Sequence, residues 1–412
     1  MTHLDRSDRM PASDGDGPEQ DFRLGGVTLE ALAVRAGATP FYAYDRAEIT
    51  RRMVELRAAL PERLHILYAM KANPMPALVC HMAGIADGFD VASHGEMLTA
   101  LDSGMDPARI SFAGPGKRMA EIDAATAAGV TIIVESSAQV DAAAASSERT
   151  GRTARLLFRL NPPIAVAGSG MRMGGGASPF GMDPEQAVAA IDRARERDLQ
   201  ALGFHVYSGS QNLDGGKIAD AQRQAAEVAL DVAERTGLAI EELNVGGGFG
   251  VPYHAGQAPL DLTPVATQLA EIRARLDRIE PKGRLVIELG RYLVAEAGIY
   301  VVRILDRKPS RGRTYLVTDG GLHHNQAAAG LLGQMLPRSY PMRVGGEAAR
   351  REVEAVDIVG CLCTPIDSFG RNLSLPRCEV GELIAVLNSG AYGASASPER
   401  FLGHAPAREL LV

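Results

Sequence analysis

A lysine at the end of an apolar segment is the first residue of this chain that could do chemistry. The segment RLHILYAMKANPMP places alternating apolar residues, typical of a buried strand, directly before Lys71. A lysine partly withdrawn from water has a lowered pKa, and its neutral amine can form a Schiff base with an aldehyde. The alternative is a strand-end lysine whose ammonium group reaches the surface, and Lys71 by itself favours that alternative.

Two further segments could hold a phosphorylated aromatic cofactor. In NVGGGFGVPY, Gly246, Gly247 and Gly248 follow a predicted strand, where backbone N–H groups can approach an anion closely. A tight turn between strand and helix explains these glycines equally well. In IELGR, Glu288 could keep a ring nitrogen protonated and Arg291 could bind a phosphate. A structural Glu–Arg pair is the alternative.

Two other predicted strands also end on polar side chains. In FHVYSGSQ, the imidazole of His205 could stack on a flat ring, and Ser208 or Ser210 could bond the ring substituents. A buried structural histidine is the alternative. In FDVASHGE, Asp90 lies at the strand end, whereas Glu96 completes the S-x-x-E spacing of a helix capping box, which favours a structural role for Glu96.

The C-terminal third of the chain carries two more candidates. GCLCTPID contains Cys363 and Asp367, and a thiol in a polar turn can donate a proton. The alternative for Cys363 is a small buried hydrophobic side chain. NSGAYGAS places Tyr392 between glycines, where it is either a phosphate donor or an ordinary turn residue.

Eight predicted strands, most of them separated by Ala-rich helical segments, would position these residues. Strands that alternate with helices predict a parallel sheet, and eight such units predict a closed (β/α)8 barrel of the α/β class. Each strand ends on polar or glycine-rich residues, at the end where barrel enzymes build their active sites. The strands are LHILYAM, GFDVAS, ISFAGP, TIIVES, ARLLFRLN, LGFHVYSGS, ELNVGGGF and RLVIELG.

The pattern changes after the last of these strands. The segments that follow are rich in β-branched residues, their polar and apolar residues alternate, and turn residues join them. This pattern predicts a mostly-β C-terminal domain at 291–412. The other predicted regions are a disordered tail at 1–21, an N-terminal segment at 22–44 that packs with the β-domain, and the barrel at 45–290.

The composition of the chain excludes several classes of function. Its 412 residues are 46% hydrophobic and carry a formal net charge of -7, so no basic surface for nucleic acid or an anionic membrane is expected. The 4 cysteines are too few for a disulfide scaffold, and no cysteine or histidine pair has zinc spacing, so no metal is expected. Without a signal core or a membrane-length apolar run, a cytoplasmic protein is expected.

Seven motifs in this order resemble those of the fold-type III pyridoxal-phosphate decarboxylases, which include diaminopimelate, ornithine and arginine decarboxylases. The resemblance extends from about Phe22 to the C-terminus. It implies an alanine racemase-like barrel and β-domain, a pyridoxal 5'-phosphate cofactor, and decarboxylation of an amino acid to an amine and carbon dioxide. The motifs are YAMKANP, FDVAS, FHVYSGSQ, NVGGGFG, IELGR, GCLCTPID and GAYG.

The resemblance also implies a role for each matching residue. Lys71 would hold the cofactor as a Schiff base, His205 would stack on its ring, and Glu288 would pair with its ring nitrogen. Cys363 would return a proton to the substrate, reaching the site of the other subunit in a head-to-tail homodimer with shared active sites. The remaining residues implied to bind the cofactor are Asp90, Ser210, Gly246, Gly247, Gly248, Arg291 and Tyr392.

Two departures from the family pattern leave assignments open. The segment HVYSGSQ is one residue longer than the common family forms, so either Ser208 or Ser210 can be the matching serine. Enzymes acting on ornithine or diaminopimelate carry an acid after the cysteine, to pair with a distal ammonium group, whereas this chain has Thr364. Because an unpaired buried charge costs several kcal/mol, we expect a substrate without a distal ammonium.

The segments TDGGLHHNQAAAG and GCLCTPID are closer to decarboxylases of biosynthetic clusters. Some of these are exosortase-associated, and others act on an aminoacyl group tethered to a carrier protein. A small-molecule acidic amino acid or a carrier-protein-tethered group such as a glutamyl thioester would not need the missing acid. Residues predicted to line the substrate are Thr364, Asp367, His323, His324 and Asn325, with a polar loop as the alternative for the last three.

Four other functions remain open at this point. A decarboxylase of a basic amino acid would contradict the interpretation of Thr364. An amino-acid racemase shares the barrel but needs a tyrosine base opposite the lysine. A non-catalytic pyridoxal-phosphate carrier resembles the barrel alone, and a scaffold barrel would not bind the cofactor. The identity of the substrate, and whether it is free or tethered, are not determined by the sequence.

Overall fold

The computed structural model describes residues 21–162, 171–172, 176–254, 256–331 and 338–412. The tail predicted at 1–21 lies outside these residues except for Asp21. The chain divides into two compact units. One contains Thr50–Pro252 and Ala258–Tyr292, and the other contains Leu293–Val412 with Tyr253–Gln257 and the residues up to Ile49. The domain limits predicted at 45–290 and 291–412 stay a prediction.

The first described elements are short. Helix α1 begins where the Thr28 side chain accepts a hydrogen bond from the N–H of Ala31, and it ends at Gly37, whose φ of 74° suits a glycine. The elements are β1 (Arg23–Leu24), β2 (Val27–Thr28), α1 (Leu29–Ala36), β3 (Phe41–Tyr44) and α2 (Arg46–Ala59).

A closed parallel barrel follows, and it contains all eight of the predicted strands. The strands, with two short additional ones, are β4 (Leu64–Ala69), β5 (Gly88–Val91), β6 (Ile110–Phe112), β7 (Thr131–Val134), β8 (Arg155–Leu160), β9 (Met171–Arg172), β10 (Gln200–Val206), β11 (Gly209–Ser210), β12 (Glu242–Gly247) and β13 (Arg284–Leu289). Around the barrel the order is β10-β12-β13-β4-β5-β6-β7-β8, whereas β9 and β11 pair with each other outside it. Strands such as β5 and β7 are buried along their whole length, as expected when both faces of a parallel sheet are covered.

Helices connect most of the barrel strands. Ser93 caps α4 by accepting a 3.1 Å hydrogen bond from the N–H of Glu96, and the Glu96 carboxylate accepts one from the N–H of Ala92. Glu96 thus has the structural role that its spacing favoured. Its carboxylate accepts from the N–H of the residue before the N-cap, whereas in a standard capping box the donor is the N–H of the N-cap residue itself. The helices are α3 (Pro76–Ala83), α4 (His94–Asp102), α5 (Met119–Ala128), α6 (Ser137–Thr150), α7 (Pro184–Glu196), α8 (Gly215–Thr236), α9 (Thr263–Ile279) and α10 (Arg291–Val294). None of the described helices has the length and apolar character needed to cross a membrane.

The C-terminal unit is built on a mixed sheet in the order β16-β19-β14-β15-β17-β18, and β3 pairs with β14 and β20. A mostly-β domain was predicted here, and β18 belongs to it although its Gly370, Asn372 and Pro376 are poor strand formers. Strands β15 and β17 are parallel neighbours, so the segments that follow them start side by side. The strands are β14 (Gly298–Ser310), β15 (Arg313–Thr318), β16 (Met342–Val344), β17 (Val353–Val359), β18 (Ser368–Pro376), β19 (Leu383–Val386) and β20 (Arg408–Leu411).

Candidate active site

Lys71 lies in a single helical turn directly after β4, beside the end of β5. The parallel register pairs Ala69 with Asp90, which brings the lysine and the carboxyl group of Asp90 to the same end of the barrel. Lys71 Nζ lies 3.9 Å from Asp90 Oδ2 and 5.3 Å from the ring centroid of Tyr207. The side chain of Lys71 is 38% exposed, against 3% for Asp90. The amine is therefore held beside a buried acid while part of the side chain remains accessible.

His205 and Glu288 form the second part of the site. They lie on β10 and β13, with β12 between these two strands. His205 Nε2 is 3.3 Å from both carboxylate oxygens of Glu288, and Asn244 Nδ2 lies 3.5 Å from Glu288 Oε2. All three side chains are buried. Asn244 was not among the predicted site residues, although its position inside an otherwise apolar strand was a usable signal.

The two buried carboxyl groups at this end of the barrel have pKa values displaced in opposite directions. Burial and the negative charge of Glu288 raise the pKa of Asp90 well above its ordinary value, although Lys71 opposes the shift. Burial would also raise the pKa of Glu288, but attraction to His205 and Lys71 outweighs it and lowers the pKa. The two pKa values thus move apart, and Glu288 is the stronger acid of the pair.

Arg291 and Ser210 are brought together, as a shared anion site would require. Arg291 Nη2 donates a 3.2 Å hydrogen bond to Ser210 Oγ. Ser208 lies instead at a small cavity bordered by α8, Gly247 and Gly248. The geometry thus favours Ser210 over Ser208 as the serine that acts together with the arginine.

The three consecutive glycines allow neighbouring strands to approach. A Cβ atom at Gly247 would overlap the carbonyl oxygen of Glu288, and one at Gly248 would lie 2.5 Å from the carbonyl oxygen of Gly209. The N–H of Gly246 donates to Asn244 Oδ1 at 2.9 Å, so this N–H already has a partner. Close packing therefore requires the glycines, and the role predicted for them in phosphate binding stays a prediction.

A buried ion pair that was not among the predicted site residues organises the same end of the barrel. Arg159 Nη1 lies 3.2 Å from Glu135 Oε2, with side chains only 6% and 2% exposed. The Glu135 carboxylate also accepts hydrogen bonds from the N–H groups of Gly114 at 2.8 Å and Gly181 at 3.0 Å. Arginine inside the apolar strand ARLLFRLN was the available signal, because a buried guanidinium requires an acid nearby.

Lys117, beside this ion pair, is a half-buried cation. Its Nζ donates to the carbonyl oxygens of Gly114 at 2.7 Å and Ile133 at 2.6 Å, and to Gln139 Oε1 at 3.2 Å. Burial lowers the pKa of Lys117 to about 8, against the opposing attraction of Glu135. The lysine thus ties the end of β7 to the segment that precedes α5.

We expect the variant Lys117→Met to lose stability, because three part-buried acceptors lose a hydrogen bond, at about 1 kcal/mol each. Between pH 8 and its ordinary pKa of about 10.4, this lysine binds more protons in the unfolded chain than in the folded one. The free energy of unfolding of the wild type, relative to that of the variant, should therefore increase as pH rises through this range. Urea unfolding followed by circular dichroism at about pH 7.5 and about pH 10 measures the gap. A gap that stays constant or narrows would contradict the assignment.

The C-terminal candidates around Cys363 lie in the turn after β17. The Cys363 side chain is exposed and Thr364 is half-buried. Asp367 is 3% exposed, and its two carboxylate oxygens accept the N–H groups of Leu322 at 2.6 Å and Leu362 at 2.8 Å. Substrate contact by Asp367 stays a prediction, whereas its bonds give it a positioning role between two segments.

The histidine-containing segment after β15 is buried. His324 Nε2 donates to the carbonyl oxygen of Ala405 at 2.7 Å, and Asn325 Nδ2 donates to Ser389 Oγ at 3.0 Å. His323 is fully buried beside them, and Tyr392 is half-buried with a φ of 56°. Within each unit the structure thus groups the predicted residues, and the roles assigned to them in substrate and phosphate binding stay predictions.

Residues 46–295 match a family described as pyridoxal-dependent decarboxylase, pyridoxal binding domain. This chain belongs to the pyridoxal-dependent decarboxylases. A relative with 36% identity over 379 residues is the L-glutamyl-[BtrI acyl-carrier protein] decarboxylase of Niallia circulans, with 90% of this chain and 88% of the relative covered. The diaminopimelate decarboxylase of Aquifex aeolicus is 30% identical over 380 residues, covering 90% and 86% of the two chains.

Solved structures of pyridoxal-dependent decarboxylases have the same fold. The diaminopimelate decarboxylase from Helicobacter pylori, complexed with L-lysine, gives a TM-score of 0.82 at 27% identity and covers 92% of this chain and 93% of its own. The diaminopimelate decarboxylase from m. jannaschii gives 0.84 at 26% identity, with 95% and 91% covered. The predicted fold-type III architecture, pyridoxal phosphate cofactor and decarboxylase activity are confirmed.

The residues at the barrel end fit pyridoxal phosphate. Asp90 Oδ1 and His205 Nδ1 are buried and have no hydrogen-bond partner among the described residues. Buried polar atoms are normally paired, so each of these atoms indicates that a polar group binds at this end of the barrel. Lys71 supplies an amine beside Asp90, and Glu288 supplies an ionised carboxylate for a ring nitrogen. The donor set of this decarboxylase therefore matches an aldehyde-bearing aromatic cofactor.

Proposed function

We propose that this decarboxylase acts on an L-glutamyl group carried as a thioester by an acyl-carrier protein. The observation that carries the proposal is that Asp367, the only acid in the turn GCLCTPIDS, is already hydrogen-bonded within the protein. Both of its oxygens accept backbone N–H groups, so it does not offer a free carboxylate to a distal ammonium group. The 36% identity to an L-glutamyl-[BtrI acyl-carrier protein] decarboxylase supports the same substrate class.

The chemistry of decarboxylation defines where the carrier must be attached. The α-carboxylate has to leave as carbon dioxide and the α-amine has to remain available, so the thioester must be on the side-chain carboxyl group. The distal end of such a substrate is neutral. A neutral hydroxyl at Thr364 suits this end, whereas an ammonium group desolvated there would lack a counter-charge.

When bound, pyridoxal phosphate supplies an aldehyde that captures the α-amine and a ring that accepts the electron pair of the broken Cα–carboxyl bond. In this proposal Lys71 would hold the cofactor through its aldehyde, because its Nζ supplies the amine at this end of the barrel. Glu288 would keep a proton at the ring nitrogen, which would strengthen the ring as an electron acceptor, and His205 would contact the ring. Cys363 Sγ then donates a proton to the substrate α-carbon.

The proposed phosphate site combines charge with backbone donors. Arg291 and Ser210 lie within hydrogen-bond distance of each other, so one anion can contact both. Gly247 and Gly248 would add backbone N–H groups, and Tyr392 would add a phenol. Binding the phosphate at these groups fixes the position of the aldehyde relative to Lys71.

The substrate assignment is tested by measuring carbon dioxide release from a panel of substrates. The panel contains glutamyl-loaded carrier protein, free L-glutamate, diaminopimelate, lysine and ornithine. We expect release from the tethered glutamyl group, and a Thr364→Asp variant should lower this rate while improving any release from the basic amino acids. Wild-type release from lysine, ornithine or diaminopimelate alone would contradict the proposal. Loss of α-hydrogen without carbon dioxide release would favour racemisation.

We also propose a head-to-tail homodimer in which Cys363 of one subunit completes the Lys71 site of the other. Lys71→Ala and Cys363→Ala should each be inactive alone. Mixed dimers contain one site with both native residues, so equal mixing should restore about a quarter of wild-type activity. Sequential purification by two different subunit tags isolates the mixed dimers, and because one of their two sites is native, these should release carbon dioxide at about half the wild-type rate per dimer. No recovery in purified mixed dimers would contradict a shared site.

A further inference from the structure

Three loops of the C-terminal unit converge on two histidines and a cysteine that the proposed function does not use. His323 follows β15, Cys361 follows β17, and His404 precedes β20. Their candidate ligand atoms all lie within 4.8 Å of one another. We propose that His323, Cys361 and His404 form a binding site for a divalent transition metal with the ligand preference of zinc, because neutral imidazole and thiolate are the ligands this class of cation prefers.

His323 provides the observation that points to a ligand. Its side chain is 0% exposed, yet neither Nδ1 nor Nε2 has a hydrogen-bond partner among the described residues. The ring centroid lies 3.7 Å from that of His324 and 4.7 Å from that of His404, so His323 is enclosed by other imidazoles. A buried ring with two unpartnered nitrogens is costly, and a bound cation would give one of them a partner.

The residues adjacent to the three ligands are already tied to one another. Asp367 accepts the N–H of Leu322, which precedes His323, and the N–H of Leu362, which follows Cys361. On the other side, His324 Nε2 donates to the carbonyl oxygen of Ala405, the residue after His404. The backbone of each ligand is thus fixed relative to the other two before any metal binds, which is what a preorganised site requires.

Metal binding needs only a small movement of the ligand atoms and the release of one thiol proton. Zinc–nitrogen distances near 2.1 Å and zinc–sulfur distances near 2.3 Å place tetrahedral ligands about 3.5 Å apart, so the atoms need to close by roughly 1 Å. Cys361 and His404 are half-buried and can supply this movement by side-chain rotation. The Cys361 thiol proton leaves to solvent as the metal–sulfur bond forms. Three protein ligands leave the fourth position for water.

The site escaped detection in the sequence because its ligands come from three separate loops. Zinc motifs recognisable in a sequence place two ligands within a few residues of each other. Here 38 residues separate His323 from Cys361 and 43 separate Cys361 from His404 by residue number. The sequence-based expectation of no metal therefore rested on spacing alone, and the tertiary structure supplies the missing proximity.

Cobalt binding to the tag-free, chelator-treated, cofactor-loaded enzyme tests the proposal. We expect one Co²⁺ per chain, with the intense visible absorption of a tetrahedral thiolate complex in the difference spectrum. Cys361→Ser should remove the thiolate contribution, and His404→Gln, at a half-buried position, should weaken binding by at least about tenfold. Absence of stoichiometric binding, or an unchanged spectrum in Cys361→Ser, would overturn the proposal.

Cys378→Ser is the matched control for the cysteine variant. Cys378 is a buried thiol of the same unit, and its Sγ lies 3.1 Å from the carbonyl oxygen of Pro376 rather than in the cluster. This variant should keep the cobalt spectrum, and Zn²⁺ should raise the thermal midpoint of the wild type and of Cys378→Ser but not of Cys361→Ser. Equal loss of the spectrum in both cysteine variants, with native circular dichroism, would also overturn the site.

Discussion

Replacing Lys71 with alanine is expected to lower kcat for carbon dioxide release by about 10³-fold or more. Lys71 Nζ is the amine beside the buried Asp90, and no methyl group can bind the cofactor's aldehyde or move a proton. The variant should still fold, because the Lys71 side chain is partly exposed and the wild-type ammonium lies 3.9 Å from its acid. Turnover with the preferred substrate, compared with the wild type under saturating cofactor, measures the loss.

The variant Lys71→Arg separates the charge of Lys71 from its reactivity. Arginine retains a positive charge near Asp90 but is not deprotonated in proteins, so it should be as inactive as alanine. A readout independent of turnover is borohydride reduction followed by peptide mass spectrometry. It should place the cofactor on the peptide that contains Lys71 in the wild type and on no peptide in either variant. Normal turnover in Lys71→Ala would end the proposed role.

Replacing Glu135 with alanine is expected to lower the free energy of unfolding by about 3–5 kcal/mol, the range for breaking a buried ion pair. The change leaves the Arg159 guanidinium charged and buried, and it also removes the acceptor of the Gly114 and Gly181 N–H groups. The chain has no tryptophan, so urea unfolding should be followed by far-ultraviolet circular dichroism. The measured quantity is the shift in the unfolding midpoint multiplied by the slope.

Glu55→Ala is the matched control for Glu135→Ala. Glu55 pairs with Arg51 on α2, but both side chains are about half exposed, at 52% and 44%. An exposed pair of this spacing contributes about 0.3–0.5 kcal/mol, so this variant should unfold almost as the wild type does. Similar losses in the two variants would mean that Arg159 regains water or another acid when Glu135 is removed.

The strands of the barrel could be predicted because parallel strands covered on both faces are continuous apolar segments. In β7, four consecutive buried residues, three of them Ile or Val, lie between two Ala-rich helices. Strand β18 was not predictable in this way. Gly370 and Pro376 adopt strand geometry because they pair with Ile358 and Val353 of β17, whereas Asn372 lies at an irregularity in the register with a φ of 52°.

In the candidate active site, too, single residues were identifiable from the sequence, whereas their partners were set by the tertiary structure. Lys71, His205 and Glu288 were identifiable because each is a polar residue at the end of, or within, an apolar strand, and the order of their motifs indicated the family. Which side chains are partners was decided by the barrel. Its closure brings Glu135 to Arg159, and Arg291 to Ser210, across 24 and 81 residues of chain respectively.

The sequence by itself determined the fold class, the cofactor family and the position of the reactive lysine, since all of these depend on local pattern and motif order. Only the tertiary structure decided the direction in which the pKa of each acid is displaced and the groups to which each acid is hydrogen-bonded. Asp90 and Glu288 are similar carboxylic acids at the ends of similar strands, yet their pKa values separate because His205 lies beside Glu288. Asp367 likewise binds backbone N–H groups from two loops that meet only when β15 and β17 pair in the sheet.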